Sequence, residues 1–373
     1  MKKSAAETAW IVETARSLGF DLCGVAAAEQ FPELARLNDW LQRGYAGEMK
    51  YLHDPRRADL QAAMSGVRSA IVCAINYNAP QAYSTEARQA ETPRGWISRY
   101  AWGKDYHEVL WSKLNALVEE MREKFPEPFA AKASADTGPV QERVLAKYAG
   151  LGWIGKNTLL LNQKMGSWLF LGTILTDLEL TPTVESADRM PADLCGSCTR
   201  CIDACPTDAL VNPYVMDARR CIAYLTIELR GPIPKEFRQA MANHVFGCDI
   251  CQDVCPWNRK SPRTDIAEFQ PRVPGDSGRS LFHPQLEWLA GLNEEEFREV
   301  FRGSAMKRAK WRGLVRNACN ALGNARFESS EERNRILALL ERLAKNGDEL
   351  ISESAEWALA RQRKSPSLQS PQE

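Results

Sequence analysis

The sequence has no long apolar run, no excess of either charge and no apolar core near its start. No run approaches the ~20 apolar residues that a helix needs to cross a bilayer, so no membrane span is predicted. Basic and acidic residues both number 48, so any nucleic-acid partner must be met by a local patch. Glu7, Glu13 and Arg16 stand where a signal peptide needs apolar residues. We therefore expect a protein of the reducing cytosol.

Two apparent cofactor motifs are also not supported, one because its flanking elements are wrong and the other because a residue is missing. Residues 150–155 satisfy G-x-G-x-x-G, but a helical segment precedes them and an apolar run follows, the reverse of a dinucleotide-binding turn. These glycines are predicted to end a helix and to allow close approach of backbone. Asp105-x-His107 begins the D-x-H-x-x-G motif of proteins that ligate cobalt with histidine, but Leu110 replaces its glycine. His107 is therefore predicted to lie at a helix start and not to bind a metal.

Cysteine is abundant, and eight of the 11 cysteines follow two related patterns. The segment from Cys195 to Pro206 matches the C-x2-C-x2-C-x3-C-P run of bacterial-type ferredoxins at every position. Residues 248–256 repeat the C-x2-C-x3-C-P half, and Cys221 precedes them alone. Three thiolates at this spacing wrap one corner of a cuboidal 4Fe–4S cluster, and the proline turns the chain so that the fourth thiolate reaches the other cluster.

This rule assigns the eight thiols to two 4Fe–4S clusters. The first would be bound by Cys195, Cys198, Cys201 and Cys255, and the second by Cys205, Cys221, Cys248 and Cys251. Paired C-x2-C units also form structural zinc sites, but zinc leaves a fourth cysteine and its proline unexplained in each set. Disulfides do not suit a reducing compartment.

The rest of the chain indicates several domains. Helical and strand-like segments alternate over the first ~180 residues, which favours an α/β or α+β domain. Polar linkers at 181–193 and 261–278 flank the cysteine-rich segment, and the remainder reads as stacked helices. We predict an α+β multi-domain protein with units at 1–180, 181–265 and 266–373. The last unit would end in a disordered tail at 363–373.

Asp136 is a candidate for a catalytic side chain in the N-terminal unit. It follows a strand-like segment and precedes Pro139, which suits the first position of a helix. Proteins with alternating strands and helices often have catalytic or binding side chains at such junctions. Aspartate is also common there as a cap or turn residue, and the sequence alone slightly favours this structural role.

A basic cluster stands out against the neutral background. Five basic residues fall within ten positions around Trp311: Lys307, Arg308, Lys310, Arg312 and Arg316. A solvated helix face explains many such clusters, but this one is the best candidate in the chain for binding phosphates of a nucleic acid.

Taken together, these motifs resemble the epoxyqueuosine reductase family, which completes queuosine synthesis at the wobble position of tRNA. The eight cysteines alone would fit many iron–sulfur proteins, and their combination with N-terminal motifs is more specific. The resemblance covers nearly the whole chain and rests on Gly47-Glu48-Met49 with Tyr51-Leu52, Ile97 to His107, Asp136 to Arg143, Gly152 to Asn157, Cys255 to Asn258 and Arg312 to Asn324.

The resemblance implies a nitroreductase-like, cobalamin-binding α/β domain, a ferredoxin-like module with two 4Fe–4S clusters, and C-terminal HEAT-like α-helical repeats. It implies cobalamin without a histidine ligand to cobalt, and Asp136 as the catalytic acid. By motif position, the cofactor contacts would be Arg57, Tyr100, Asp136, Asn157 and Ser167. The substrate would be tRNA carrying epoxyqueuosine, held by the basic cluster. Electrons would come from a donor such as a flavodoxin or ferredoxin, and a cytoplasmic monomer is expected.

Two other functions are compatible with parts of the sequence. A corrinoid iron–sulfur reductase of a small molecule, similar to a dehalogenase, would share the cofactors but has no use for a basic helical C-terminal domain. An electron-carrying or structural iron–sulfur protein that binds RNA would leave the large N-terminal domain without a ligand. Cobalamin in the purified protein would distinguish the RNA-binding iron–sulfur protein from the two corrinoid enzymes. Salt-dependent affinity for tRNA would distinguish the tRNA-modifying enzyme from the small-molecule reductase.

Overall fold

The structure is a computed structural model that describes residues 3–86, 93–184, 186, 190–274 and 279–364. The tail expected at 363–373 lies outside the described residues except for its first two positions, which belong to the last helix. Positions 185, 187–189 and 275–278 of the two expected linkers also lie outside them. Within the described ranges, no helix is both long enough and apolar enough to span a membrane.

The described residues combine many helices with short strands. The α-helices are Lys3–Ser17 (α1), Pro32–Gln42 (α2), Leu60–Ala63 (α3), Tyr106–Lys124 (α4), Glu142–Tyr148 (α5), Arg200–Asp203 (α6), Ile222–Ile227 (α7), Lys235–Arg238 (α8), Ile250–Asp253 (α9), Leu286–Gly291 (α10), Glu294–Val300 (α11), Lys310–Asn324 (α12), Ser330–Ala344 (α13) and Glu349–Lys364 (α14). The strands are Leu22–Ala27 (β1), Ser69–Asn76 (β2), Trp96–Ile97 (β3), Ala131–Ser134 (β4), Trp153–Ile154 (β5), Leu160–Leu161 (β6), Leu169–Thr176 (β7) and His244–Phe246 (β8).

A four-stranded sheet in the order β1-β2-β7-β4 organises the N-terminal part, and all its neighbouring strands are antiparallel. All eight residues of β2 are buried because both faces of the sheet are covered. Alternate side chains of a strand point to opposite faces. Ile71, Cys73 and Ile75 accordingly pack with α1 and α4, whereas Ala70, Val72 and Ala74 pack with α5. The edge strand β4 leads directly to Asp136.

The G-x-G-x-x-G segment does not form a nucleotide-binding turn. Gly150, with φ of 81°, follows the end of α5, and β5 then pairs with β6 in antiparallel register. A Cβ atom on Gly152 would lie 2.0 Å from the carbonyl oxygen of Leu161, so only glycine fits against this strand. The prediction that these glycines end a helix and admit a neighbouring strand is confirmed.

The C-terminal helices share a hydrophobic core with residues from earlier in the chain. Trp96, Ile97 and Trp102 pack in one cluster with α10, α12, α13 and α14, and β3 pairs with β8 in parallel. Side chains from each of the three predicted units therefore contribute to this core. The molecule is an α+β protein in which the cysteine-rich segment lies between the N-terminal sheet and the C-terminal helices in sequence.

Candidate functional site

The first predicted set of cluster cysteines surrounds a small cavity. Cys195, Cys198, Cys201 and Cys255 line a space of about 220 Å³, together with apolar residues that include Leu161 and Trp257. Burial, and then the nearby thiolate charge of Cys195, raise the pKa of the Cys201 thiol. The four predicted ligands of the first cluster therefore line one space.

The second set is also brought together. Burial raises the pKa of Cys221, to which the charge of Cys205 adds. Burial likewise raises the pKa of Cys248, with further contributions from Cys251 and Cys221. Among the described residues, no three His, Cys, Asp or Glu side chains have the convergence that a single metal ion, such as structural zinc, would need.

Residues of the β5–β6 turn clamp the loops that carry both sets. Lys156 Nζ donates hydrogen bonds to the carbonyl oxygens of Gly196 (2.6 Å) and Cys198 (3.0 Å). Asn157 Nδ2 donates to the carbonyl oxygen of Cys251 at 3.4 Å. The turn thus fixes one loop of each cysteine run against the N-terminal part.

A cleft of about 1700 Å³ borders one of these cysteines, Cys221. Asp136 of the N-terminal part, Cys221 of the cysteine-rich segment and Lys307 of the C-terminal part all line it. Cys221 is a predicted ligand of the second cluster, so this cluster would border the cleft. The cleft therefore joins three parts of the chain around one space.

Asp136 is held in the cleft by residues at the start of α4. Its Oδ2 accepts a hydrogen bond from Tyr106 Oη at 2.9 Å and lies 3.7 Å from His107 Nε2. Its φ of 59° is in the left-handed region, which is uncommon for a residue other than glycine. The nearby His107 imidazolium lowers the pKa of Asp136 more than burial raises it, and the hydrogen bond from Tyr106 lowers it further.

Asp136 is therefore not a helix cap. The sequence indicated a helix start at Pro139. In the structure, residues 136–141 form an irregular loop, and α5 begins at Glu142. The junction between strand and helix is real, but the aspartate side chain turns away from the helix to meet Tyr106 and His107.

His107 bridges two carboxylates. Its Nδ1 lies 2.6 Å from Asp105 Oδ1, and Asp105 also caps α4 by accepting a hydrogen bond from the backbone N–H of His107. Burial lowers the pKa of His107, but the hydrogen bond with Asp105 and the nearby Asp136 carboxylate outweigh burial and raise it to about 9. His107 lies at a helix start, as predicted, and it also holds a proton beside Asp136.

Glu142 is a further acid that sequence reasoning did not single out. Its Oε1 accepts a hydrogen bond from the backbone N–H of Asp136 at 2.9 Å. Burial, and then the charge of Asp136, raise the pKa of Glu142 to about 8. In the sequence, Glu142 is one residue of the Asp136 to Arg143 segment. No spacing rule distinguishes it there from a glutamate on the surface.

The expected cofactor contacts divide into two groups. Arg57, Tyr100 and Asp136 line the large cleft. Asn157 and Ser167 are buried outside its lining, contrary to expectation. The amide of Asn157 is directed to the cysteine loops, whereas Ser167 Oγ accepts hydrogen bonds from Gln252 (3.0 Å) and Asn258 (2.9 Å). Both residues support the iron–sulfur segment and do not face the cleft.

The basic cluster is only partly available to a ligand. Lys307, Arg308 and Lys310 line the cleft and are exposed. Arg312 is exposed but forms an ion pair with Asp348. Arg316 is fully buried and donates to the carbonyl oxygens of Leu225, Leu229 and Gly231, so its predicted role as a phosphate contact is wrong.

Comparisons with known proteins identify the same two regions. Residues 57–137 match the family described as Epoxyqueuosine reductase QueG, DUF1730, and residues 194–258 match the 4Fe-4S double cluster binding domain. The chain thus carries an iron–sulfur domain of the double-cluster type, in which the eight cysteines lie.

Curated relatives and solved structures agree over most of the chain. The Gloeobacter violaceus epoxyqueuosine reductase is 46% identical over 86% of this chain and 97% of its own, and the Pseudomonas aeruginosa enzyme is 41% identical over 94% and 93%. An epoxyqueuosine reductase solved with an epoxyqueuosine-modified tRNA-Tyr stem loop is 31% identical over 95% of this chain and 89% of that chain, with a TM-score of 0.82. The Bacillus subtilis enzyme, solved with its catalytic aspartate loop swung out of the active site, gives 30% identity over 95% and 90%, and a TM-score of 0.81. The chain belongs to the epoxyqueuosine reductase family.

Proposed function

We propose that this protein reduces epoxyqueuosine to queuosine at the wobble position of tRNA, with cobalamin and two 4Fe–4S clusters as its cofactors. The observation that carries the proposal is the shared cleft, which Asp136 lines together with Cys221. A group that handles protons and a centre that delivers electrons thus face one space. Converting an epoxide to an alkene consumes two electrons and two protons and releases the oxygen as water, so both are required.

The cleft suits cobalamin in size and in chemistry. Its volume of about 1700 Å³ exceeds the roughly 300–1,000 Å³ of ordinary small-molecule pockets, as a corrin together with a nucleotide would require. Arg57 and Tyr100 would contact the cofactor, which supplies a strongly reducing centre when bound. Both ring nitrogens of His107 face carboxylates, which supports binding without a histidine ligand to cobalt.

The protein's own residues supply the protons. His107 keeps a proton up to about pH 9 and lies 3.7 Å from the Asp136 carboxylate. The proton passes from His107 Nε2 to Asp136 and from there to the oxygen that leaves the epoxide. Glu142, with a pKa of about 8, is a second protonated acid in the same cleft at neutral pH.

The finer organisation follows the family resemblance. We assign a nitroreductase-like fold to residues 1–180, a ferredoxin-like module to 181–265 and a HEAT-like repeat to the helices of 266–373. The ligand sets are those predicted from the cysteine spacing. The protein would act as a cytoplasmic monomer that receives electrons from a flavodoxin or ferredoxin.

Anaerobic conversion of epoxyqueuosine in tRNA tests the proposal. Protein reconstituted with iron, sulfide and cobalamin is reduced and mixed with substrate tRNA, and nucleosides are quantified by mass spectrometry. Asp136→Asn tolerates the left-handed backbone but has no carboxyl proton, so we expect a rate about 10²–10⁴-fold lower. Asp208→Asn is the matched control because Asp208 also has a positive φ, of 49°, but is exposed and paired with Arg220.

The control variant should convert tRNA at the wild-type rate, and Asp136→Asn should retain iron, cobalamin and tRNA affinity. Equal rates for wild type and Asp136→Asn would remove the acid role of Asp136 and keep the reaction. No conversion by wild type with both cofactors loaded would overturn the tRNA substrate, and halogenated small molecules would be tested in its place.

A further inference from the structure

Tyr51 is an aromatic side chain left open at the cleft. It lines the cleft that contains Asp136, and 45% of its surface is exposed, which is unusual for a large side chain in the described residues. Its hydroxyl donates to the sulfur of Met49 at 3.3 Å, so the polar tip is already engaged while the ring remains open. An exposed ring beside a reaction site is a surface on which a planar ligand can stack.

Two guanidinium groups flank this ring. The Cζ atoms of Arg57 and Arg308 lie 5.6 Å and 5.3 Å from the ring centroid of Tyr51. Arg57 Nε donates to the carbonyl oxygen of Tyr51 at 3.2 Å. Arg308 is held by two hydrogen bonds of 2.8 Å to the carboxylate of Glu228. The three side chains, here named the Tyr51 platform, are thus ordered by contacts within the protein.

The charge around the platform favours an anionic ligand. Glu228 neutralises Arg308, but Arg57 pairs with no carboxylate among the described residues. Lys307 and Lys310 line the same cleft and are exposed. The open ring favours a flat group, and the basic side chains favour a negative charge close to it. A nucleotide combines the two, because bases stack on aromatic rings and guanidinium planes while phosphates pair with arginine.

We infer that the Tyr51 platform stacks a nucleobase of the anticodon loop next to the modified nucleotide, with Arg308 beside the adjoining phosphate. This rests on the proposed function, since it names how the same cleft receives its tRNA. Bringing the wobble nucleotide to Asp136 requires turning it out of its stack, which costs free energy. A neighbouring base that stacks on Tyr51 offsets part of this cost and fixes the depth of insertion.

The affinity of the cobalamin-loaded protein for an epoxyqueuosine-modified anticodon stem loop tests the inference. Tyr51→Leu removes the ring and should weaken binding roughly 5- to 100-fold, whereas Tyr51→Phe keeps the ring and should bind as wild type. Arg308→Gln should weaken binding and reduce the slope of log affinity against log salt by about 0.7–0.9. Arg335→Gln is its matched control, with 54% exposure against 52% and a similar pair with a glutamate, Glu287.

A second measurement reports stacking directly. A stem loop with 2-aminopurine beside the wobble position should lose fluorescence when it binds wild type or Tyr51→Phe, and should lose much less with Tyr51→Leu. Unchanged affinity and quenching in Tyr51→Leu would overturn the inference. Weakened cobalamin binding with unchanged stem-loop affinity would also overturn it, because the platform would then belong to the cofactor.

These outcomes are separable from failure of the proposed function. If wild type binds the stem loop but never converts it, the proposed reaction fails while the stacking result can still be read. If wild type and Tyr51→Leu bind and convert equally, the proposed reaction holds and the stacking site is wrong.

Discussion

In the proposed reaction, proton transfer is divided between Asp136 and a neighbouring histidine. A carboxylic acid that donates protons at neutral pH usually has its pKa raised by burial. Here the nearby His107 imidazolium lowers the pKa of Asp136. The carboxylates of Asp105 and Asp136 outweigh burial and raise the pKa of His107 to about 9. In the proposed reaction, the proton is stored on His107 and used through Asp136.

This division predicts the pH dependence of catalysis. Because the pKa of His107 is raised, its proton is fully present below about pH 8 and is lost as the pH rises through about 9. The single-turnover rate constant of wild type should be constant from pH 7 to 8 and then fall about tenfold per pH unit above 9. His107→Gln should be slower throughout and lack this alkaline decline, as rapid-quench assays with saturating tRNA would show.

Asp105→Asn is the control for this profile. Asparagine still caps α4 but no longer stabilises the imidazolium, so the alkaline decline should move toward the ordinary pKa of histidine, about 6.5. An unchanged decline near pH 9 in both His107→Gln and Asp105→Asn would assign the stored proton to another group, and Glu142→Gln would then be examined.

At the scale of elements, each cysteine run is expected to give its last thiolate to the other run's cluster. Cys255→Ser should therefore remove the same cluster as Cys195→Ser, with about half of the iron lost in each variant. Electron paramagnetic resonance of the reduced proteins should show the same remaining cluster in both. Cys205→Ser and Cys221→Ser should leave the opposite one. Matching spectra for Cys205→Ser and Cys195→Ser would contradict the exchange of ligands.

Helix α12 is attached to the iron–sulfur segment by a buried arginine. Arg316 donates to the carbonyl oxygens of Leu225, Leu229 and Gly231, at 2.8 Å or less, and burial lowers its pKa to about 10. Arg316→Met leaves these acceptors unpaired, so the free energy of unfolding should fall by about 3 kcal/mol or more. Arg312→Met, which loses only an exposed ion pair, should cost less than about 1 kcal/mol. Chemical denaturation of both variants checks this difference, and equal losses would contradict it.

Sequence reasoning succeeded where a pattern is local. The alternation of strand-like segments predicted for the N-terminal part includes β1, because Leu22 to Ala27 is a short apolar run that follows Asp21. The cysteine runs likewise act through spacing along the chain. The phosphate-binding role predicted for Arg316 was wrong because the sequence of a helix does not show whether a basic side chain faces water or buried carbonyl groups.

The candidate site was predicted only in part for the same reason. Asp136 could be found from its junction, but its partners Tyr106 and His107 lie about thirty positions earlier, at the start of α4. No periodicity links a helix start to a loop after an edge strand. The pairing follows from the packing of α4 on the sheet, which brings its first turn to the end of β4.

At the scale of the whole molecule, function depends on the cleft being shared. The N-terminal part contributes Asp136, the iron–sulfur segment Cys221 and the C-terminal part Lys307. Although the net charge is zero, basic residues of the C-terminal part therefore line the same cleft as Asp136. A neutral chain can in this way attract a polyanion to one place without binding nucleic acids over its whole surface.

Salt dependence measures how local this attraction is. Removing a side chain that pairs with one phosphate should reduce the slope of log affinity against log salt by about 0.7–0.9. We expect Lys307→Gln and Lys310→Gln each to produce this reduction with the epoxyqueuosine-modified stem loop, measured by fluorescence anisotropy between low and moderate salt. Lys345→Gln, exposed at the end of α13 and outside the cleft lining, should leave the slope unchanged. An equal reduction for Lys345→Gln would mean that the tRNA is held by a broad surface field, and that the cleft alone does not determine where it binds.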